Sequence, residues 1–207
     1  IFNKIKNIYP NLHKSEITST VKQLERLLKD YKYYTSVVSE LKKKYPKIKM
    51  THLTRKPIKE LRNKEQNTEY EPNGLYYAKK YKRFLELINN DQYIYGINPK
   101  NNKIYTTIDK PNQNLILQIK TKKDDDKYNK KYKIDKIIKN KYHLTSYDLN
   151  FKKLAKDFAG IEFSDFTGQH GHYCIENYGC IWNNNIIKNL QLIATKQKAY
   201  NKKWKIL

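Results

Sequence analysis

The chain has 207 residues, of which 38% are apolar, 13% aromatic and 30% charged, and its formal net charge is +23. That length suits one domain, or one domain carrying a helical arm, and 19 Tyr are too many for a disordered chain. Six Gly and two Cys exclude collagen-like and disulfide-built chains, and no apolar run approaches the roughly 20 residues of a membrane-spanning helix.

The first long element predicted is a helix over residues 15–44. Ser15 is a candidate N-cap, and Glu16 suits the first turn. Ile17, Val21, Leu24, Leu28, Val38 and Leu41 recur near helical spacing, and Val21, Leu24 and Leu28 are expected to face the domain. Lys42, Lys43 and Lys44 complement the helix dipole, and Pro46 ends the helix. Residues 47–54 (KIKMTHLT) alternate as a strand, with Ile48, Met50 and His52 on one side. Residues 57–62 read as a short helix and 63–73 as a polar loop. Residues 74–78 (GLYYA) look like a short buried strand, and 79–88 have helical character.

The chain then becomes rich in strand signals. Residues 92–97, 103–108 and 114–120 are strand candidates separated by Asn- and Pro-containing turns. Residues 124–133 read as a charged surface segment, and 151–158 (FKKLAKDF) as a helix stopped by Gly160. Residues 161–163 and 178–182 complete the strands, followed by 183–192 and a basic tail over 195–207. The strands lie too close together for regular βαβ crossovers. The expected fold class is α+β: a mixed, mostly antiparallel sheet with flanking helices and a long N-terminal helix. The expected organisation is a helical arm over 1–46, a domain over 47–194 and the tail.

Several side-chain groupings could carry chemistry. His170, His172, Cys174 and Cys180 fall in TGQHGHYCIENYGC, and all four are candidate zinc ligands. Their spacing matches no established zinc pattern, and Cys180 sits in an apolar run. Zinc, a Cys174–Cys180 disulfide and two ordinary cysteines are three open readings; no metal is the expectation. Asp124, Asp125 and Asp126 could attract a divalent cation, but flanking lysines favour a self-compensating surface loop. Phosphate-loop, nucleophile-elbow and HExxH signatures are absent from the sequence.

A third grouping is dispersed. His52-Leu53-Thr54 ends a predicted strand, Gly74-Leu75-Tyr76-Tyr77-Ala78 forms another, and Glu162 and Glu176 lie on or beside late strands. This pattern resembles the ADP-ribosyltransferase superfamily. The resemblance implies that His52 and Thr54 hold the nicotinamide end of NAD and that Gly74, Tyr76 and Tyr77 belong to the strand whose aromatic stacks on nicotinamide. It also implies that a late-strand glutamate, Glu162 or Glu176, aligns the nucleophile. Such chemistry suits these residue types, because a carboxylate stabilises an oxocarbenium-like state and aromatic rings sandwich a flat heterocycle. Glu162 is the preferred carboxylate, since it alternates with Ile161 and Phe163. PNGLYYA, LILQI, AGIEF and YGCIW are also similar to segments (KPxGLWYS, YDGIE, SGCIWN) of an uncharacterised protein group from giant DNA viruses and phages. That likeness covers about residues 48–190 and departs at Tyr76, where the group has Trp, and at HYCIEN before GCIW.

The charge bears on the alternatives. A strongly basic chain suits a polyanionic partner such as nucleic acid. Arg occurs only at 26, 55, 62 and 83, and the chain is crowded with Lys, Asn, Ile and Tyr, whose codons are A/T-rich. Codon composition is therefore an alternative source of the same excess. Three functions stand: an NAD-dependent ADP-ribosyltransferase-like domain acting on protein or nucleic acid; a non-enzymatic virion or ribonucleoprotein component using its Lys-rich surfaces; and a small ribonuclease using His52, His143, His170 or His172 with a glutamate. Two cysteines fit an intracellular or virion-associated setting. The chain starts at Ile1 without Met, which leaves room for a leader and keeps secretion open.

Overall fold

The computed structural model describes residues 2–11, 13–66, 72–79, 81, 93–100, 116–133, 149–163, 178–196 and 203–207. The chain divides into two compact units, Ile1–Lys44 and Tyr45–Leu207. The first holds α1 (Phe2–Ile8) and α2 (Lys14–Lys44). The helix α2 starts one residue before the expected boundary. His13 precedes it, and the Glu16 carboxylate accepts the His13 N–H at 2.8 Å. Ser15 therefore lies within the first turn instead of capping it. Its Oγ sits 2.9 Å from His13 Nδ1.

The buried residues of α2 are Ile17, Tyr34, Val37, Val38 and Leu41. The expectation that Leu24 and Leu28 are covered fails, for they are 44% and 51% exposed. The 3–4 spacing marks an apolar stripe, but spacing cannot tell what lies against it.

The second unit is built on one eight-stranded sheet. Its strands are β1 (Met50–Thr54), β2 (Leu75–Lys79), β3 (Tyr93–Pro99), β4 (Ile116–Ile119), β5 (Gly160–Phe163), β6 (Tyr178–Ile181), β7 (Ile187–Thr195) and β8 (Lys205–Ile206). They lie in the order β4-β5-β6-β2-β1-β3-β7-β8. Only β4 and β5 run parallel; the other neighbours are antiparallel. The chain is thus an α+β protein, as its sequence predicts. The end of the expected tail is itself a strand, since β8 pairs with β7 through Lys205 and Ile206.

Strand alternation gives the sheet two apolar faces. Leu117, Ile119, Ile161, Phe163 and Cys180 form one, packed with Tyr128, Tyr132, Phe151, Leu154 and Phe158. Tyr128 and Tyr132 come from α3 (Lys122–Lys131) and the turn that closes it, and Phe151 and Leu154 from α4 (Phe151–Leu154). The expected charged surface segment at 124–133, with a surface loop at its aspartate triplet, is therefore mostly helix. Thr121 accepts the Asp124 N–H at 3.1 Å, and the Asp124 carboxylate accepts the Thr121 N–H at 3.0 Å, a reciprocal cap. Asp125 is buried and accepts from Asn129 Nδ2, while Asp126 pairs with Lys122 at 2.9 Å. The aspartate triplet opens a helix and holds its first turns.

Met50, Leu75, Tyr77, Ile97 and Ile181 form the other face, with Ile58 and Leu61 packed against it. Residues 57–62 are not helical as expected. Pro57 has no N–H to give, and side chains and distant strands capture the backbone groups a helix would use. Ile58 N–H bonds Tyr95 Oη at 2.9 Å, Lys64 N–H bonds the Trp182 carbonyl at 2.8 Å, and the Arg62 carbonyl accepts from Asn184 Nδ2. An extended strap results, running from the end of β1 to the end of β6. The strand candidate at 103–108, and nearly all of the helix candidate at 79–88, lie outside the described residues.

Candidate active site

The centre of the sheet parts at His52. The strand β1 pairs with β3 along its whole length, from Met50↔Ile97 to Thr54↔Tyr93. Against β2 it pairs only at Met50↔Lys79 and Thr51↔Ala78. Meanwhile β2 stays with β6 from Leu75↔Ile181 to Ala78↔Tyr178. Where the ladder stops, His52 Nδ1 lies 2.5 Å from the Tyr76 carbonyl oxygen. The carbonyl can only accept, so Nδ1 carries the proton, and a neutral ring then has its acceptor lone pair on Nε2. A side chain has replaced a ladder hydrogen bond.

Neighbouring registers show which side chains share a row. Tyr77 lies opposite Gly179, Gly179 opposite Glu162, and Glu162 beside Gln118. His52 stands one position past the last β1–β2 pair, on the parity of Met50 and Tyr77, and pairs across the other side with Tyr95. One face of the sheet thus carries a cross-strand row of His52, Tyr77, Gly179 and Glu162. The Tyr77 phenol donates to Glu162 Oε2 at 3.0 Å. It reaches there because Gly179 lies between; a Cβ at Gly179 would come within 2.4 Å of the Tyr77 ring and hydroxyl. Lys79 Nζ forms an ion pair with the other carboxylate oxygen. Burial raises the Tyr77 phenol well above its ordinary pKa, and the adjacent Glu162 charge and hydrogen bond push the same way.

Glu162 points away from Ile161 and Phe163, as alternation predicts, yet it meets no solvent: the residue is 0% exposed. Two strands intervene between β5 and β1, so Glu162 is about 14 Å from His52 at ordinary strand spacing. Tyr76 faces the opposite side from Tyr77. Its ring stacks on Tyr178 at 5.2 Å between centroids and 17° between planes, a diagonal cross-strand pair. Its hydroxyl donates to the Pro72 carbonyl.

The structure thus brings His52 to the Tyr76 backbone and Tyr77 to Glu162. Thr54 Oγ1 accepts the Lys56 N–H at 3.2 Å and helps turn the chain into the strap. Gly74 allows close packing, since a Cβ there would meet the Ile181 carbonyl oxygen at 2.3 Å. Cys180 is a buried free thiol whose pKa burial drives up. Glu176, His143, His170, His172 and Cys174 lie outside the described residues. Among the described residues there is no group of three or more His, Cys, Asp or Glu able to hold a metal ion, and no helix is long and apolar enough to cross a membrane.

Sequence reasoning missed Lys79, Tyr178 and Gly179. The signal for the last two was the dipeptide Tyr178-Gly179 in NYGC: an aromatic for a neighbouring ring, then a gap a second ring can cross. No family model, curated protein or solved structure matches this chain.

Proposed function

We propose that the chain is an ADP-ribosyltransferase-like domain that binds NAD at the parting of β1 and β2. The observation that supports this most directly is the ladder that stops after Thr51↔Ala78, with His52 turned onto the Tyr76 carbonyl. Beyond Thr51 the edge of β1 at Leu53 no longer pairs with β2, and a peptide edge complements the planar carboxamide of nicotinamide. Half-buried His52 and Thr54, on one face of the sheet, supply ring nitrogen and hydroxyl. When bound, NAD supplies a glycosidic bond to a good leaving group, and its cleavage develops positive charge on the ribose. The chain's task is to orient that ribose and place a carboxylate near the charge.

The preferred carboxylate changes in this reading. Both Glu162 oxygens are engaged, by Lys79 and Tyr77, and the group is buried, so its role is to fix Tyr77. Glu176, two residues before the strand residue whose ring stacks on Tyr76, takes the transition-state role. Calorimetric titration with NAD tests the reading. Wild type binds, His52→Ala binds about tenfold or more weakly through loss of a part-buried hydrogen-bonding group, and Glu176→Gln binds NAD but releases no nicotinamide. Absence of NAD binding by wild type overturns the proposal. Full nicotinamide release by Glu176→Gln removes that residue from it.

A further inference from the structure

Among the described residues, exposed large apolar side chains are concentrated on the N-terminal unit. Leu24, Leu27, Leu28 and Tyr31 are 44%, 57%, 51% and 57% exposed, and all lie on two turns of α2. With Val21 and Thr35, the residues Leu24, Leu28 and Tyr31 repeat at alternating steps of three and four, the a and d positions of a heptad. Thr35 fits such a seam because its hydroxyl already donates to the Tyr31 carbonyl at 2.8 Å. Its methyl group remains for packing. Leu27 widens the stripe on one side.

The charges beside this stripe select an occupant. Glu25 and Lys32 are exposed, and they are the heptad e positions flanking Leu28 and Tyr31. In an antiparallel pair of two such helices, e positions face e positions. Setting Leu28 against Tyr31 of a second copy then brings Glu25 opposite Lys32 of that copy, and by symmetry Lys32 opposite its Glu25. Leu24 meets Thr35 in the next layer. Shifting by one heptad puts Glu25 opposite Glu25, and a parallel pair puts Lys32 beside Leu27, so neither alternative pairs the charges. The runs of basic residues at Lys42, Lys43 and Lys44 go to opposite ends of the antiparallel pair, where they do not face one another.

The geometry points to self-association: the stripe Leu24–Leu28–Tyr31 of α2 is the docking surface for the same stripe of a second copy, antiparallel, with Glu25 and Lys32 fixing the register. Sedimentation equilibrium of the full chain tests it. Wild type is expected to show a concentration-dependent dimer, and Leu28→Lys to sediment as a monomer with unchanged helical circular dichroism. Glu25→Lys is expected to weaken the dimer roughly tenfold, because two symmetric pairs turn from attraction to repulsion. The double variant Glu25→Lys/Lys32→Glu is expected to restore it. A wild-type monomer at all concentrations overturns the proposal, whether the stripe is covered by the rest of the chain, in which case Leu24→Ala lowers the melting temperature, or by another macromolecule. A dimer indifferent to both Leu28→Lys and the charge reversals overturns it equally.

Discussion

Replacing Tyr77 with Phe tests the account of the central row, because it deletes one oxygen and leaves the ring in place. That oxygen is the donor to Glu162 Oε2 at 3.0 Å, and both residues are buried, at 2% and 0% exposure. Hydrogen bonds to charged groups contribute about 1.5–3 kcal/mol, and a buried carboxylate oxygen left without its donor adds to the cost. Lys79 still neutralises the charge through the other oxygen, which keeps the loss near the middle of that range. About 2–3 kcal/mol is expected, or roughly 4–12 °C in melting temperature for a unit of this size. Urea denaturation of Tyr77→Phe, Glu162→Gln and the double variant closes a thermodynamic cycle, and the expected coupling exceeds about 1 kcal/mol. The same variant should bind NAD within about threefold of wild type, because its hydroxyl faces Glu162 and not the parted strands. A Tyr77→Phe protein within about 0.5 kcal/mol of wild type would refute the buried pair as a stabilising contact.

Gly179→Ala should cost more than Tyr77→Phe, about 3–5 kcal/mol, since its Cβ would strike the Tyr77 ring at 2.4 Å and the Ile161 carbonyl oxygen at 2.7 Å; equal melting temperatures for the two variants contradict this. Thr121→Ala removes the N-cap of α3 and should lower stability by about 1 kcal/mol, with Thr121→Ser recovering most of it, as read from denaturant midpoints. Tyr77, Tyr81 and Tyr132 all have raised pKa values, chiefly through burial, and Tyr81 is pushed up to about 12. A raised value means that the folded state keeps protons the unfolded chain has lost. Stability is therefore undiminished below about pH 10 and falls as pH rises toward 12 and beyond. Absorbance at the tyrosinate band should show a late-titrating fraction that appears only with unfolding; a single transition near pH 10 for all tyrosines excludes it.

The elements legible in the sequence were those whose own residues decide them. The helix α2 could be read from its apolar repeat and Pro46, and the strands from short runs such as MTHLT, LYYAK and YGCI, because period and breakers are local signals. The helix α3 was also written locally, in Thr121 and Asp124 as reciprocal cap and in Tyr128 and Tyr132 four apart, but its run of charges masked the buried edge. The strap over 55–66 was not legible. Its long-range hydrogen bonds go to Tyr95, Trp182 and Asn184, which are 37 to 122 positions away in sequence. The same limit governs Glu162. Alternation gave its face correctly, whereas its burial depends on Tyr77 and Lys79 from a strand that is not its neighbour.

The parting of the sheet follows from how each edge of the gap is tied. On one side, β1 is committed to β3 through all five of its residues, and beyond Thr54 the chain is pulled off the ladder by Tyr95, whose hydroxyl takes the Ile58 N–H. On the other side, β2 is committed to β6. Gln66 and Asn73 exchange side-chain and backbone hydrogen bonds just before it, and Gly74 lets the backbone approach Ile181 closely. Two strands each held by an outer neighbour share only the Met50↔Lys79 and Thr51↔Ala78 pairs. A backbone carbonyl left unpaired in a half-buried gap costs about 1–3 kcal/mol. His52 meets that cost at Tyr76 with its own ring nitrogen. An alanine at position 52 therefore has two effects that separate experimentally. The stability loss comes from the Tyr76 carbonyl and should be partly recovered by Asn, whose amide can donate to it. On the proposed NAD reading, the loss of NAD affinity comes from the imidazole and should not be recovered by Asn.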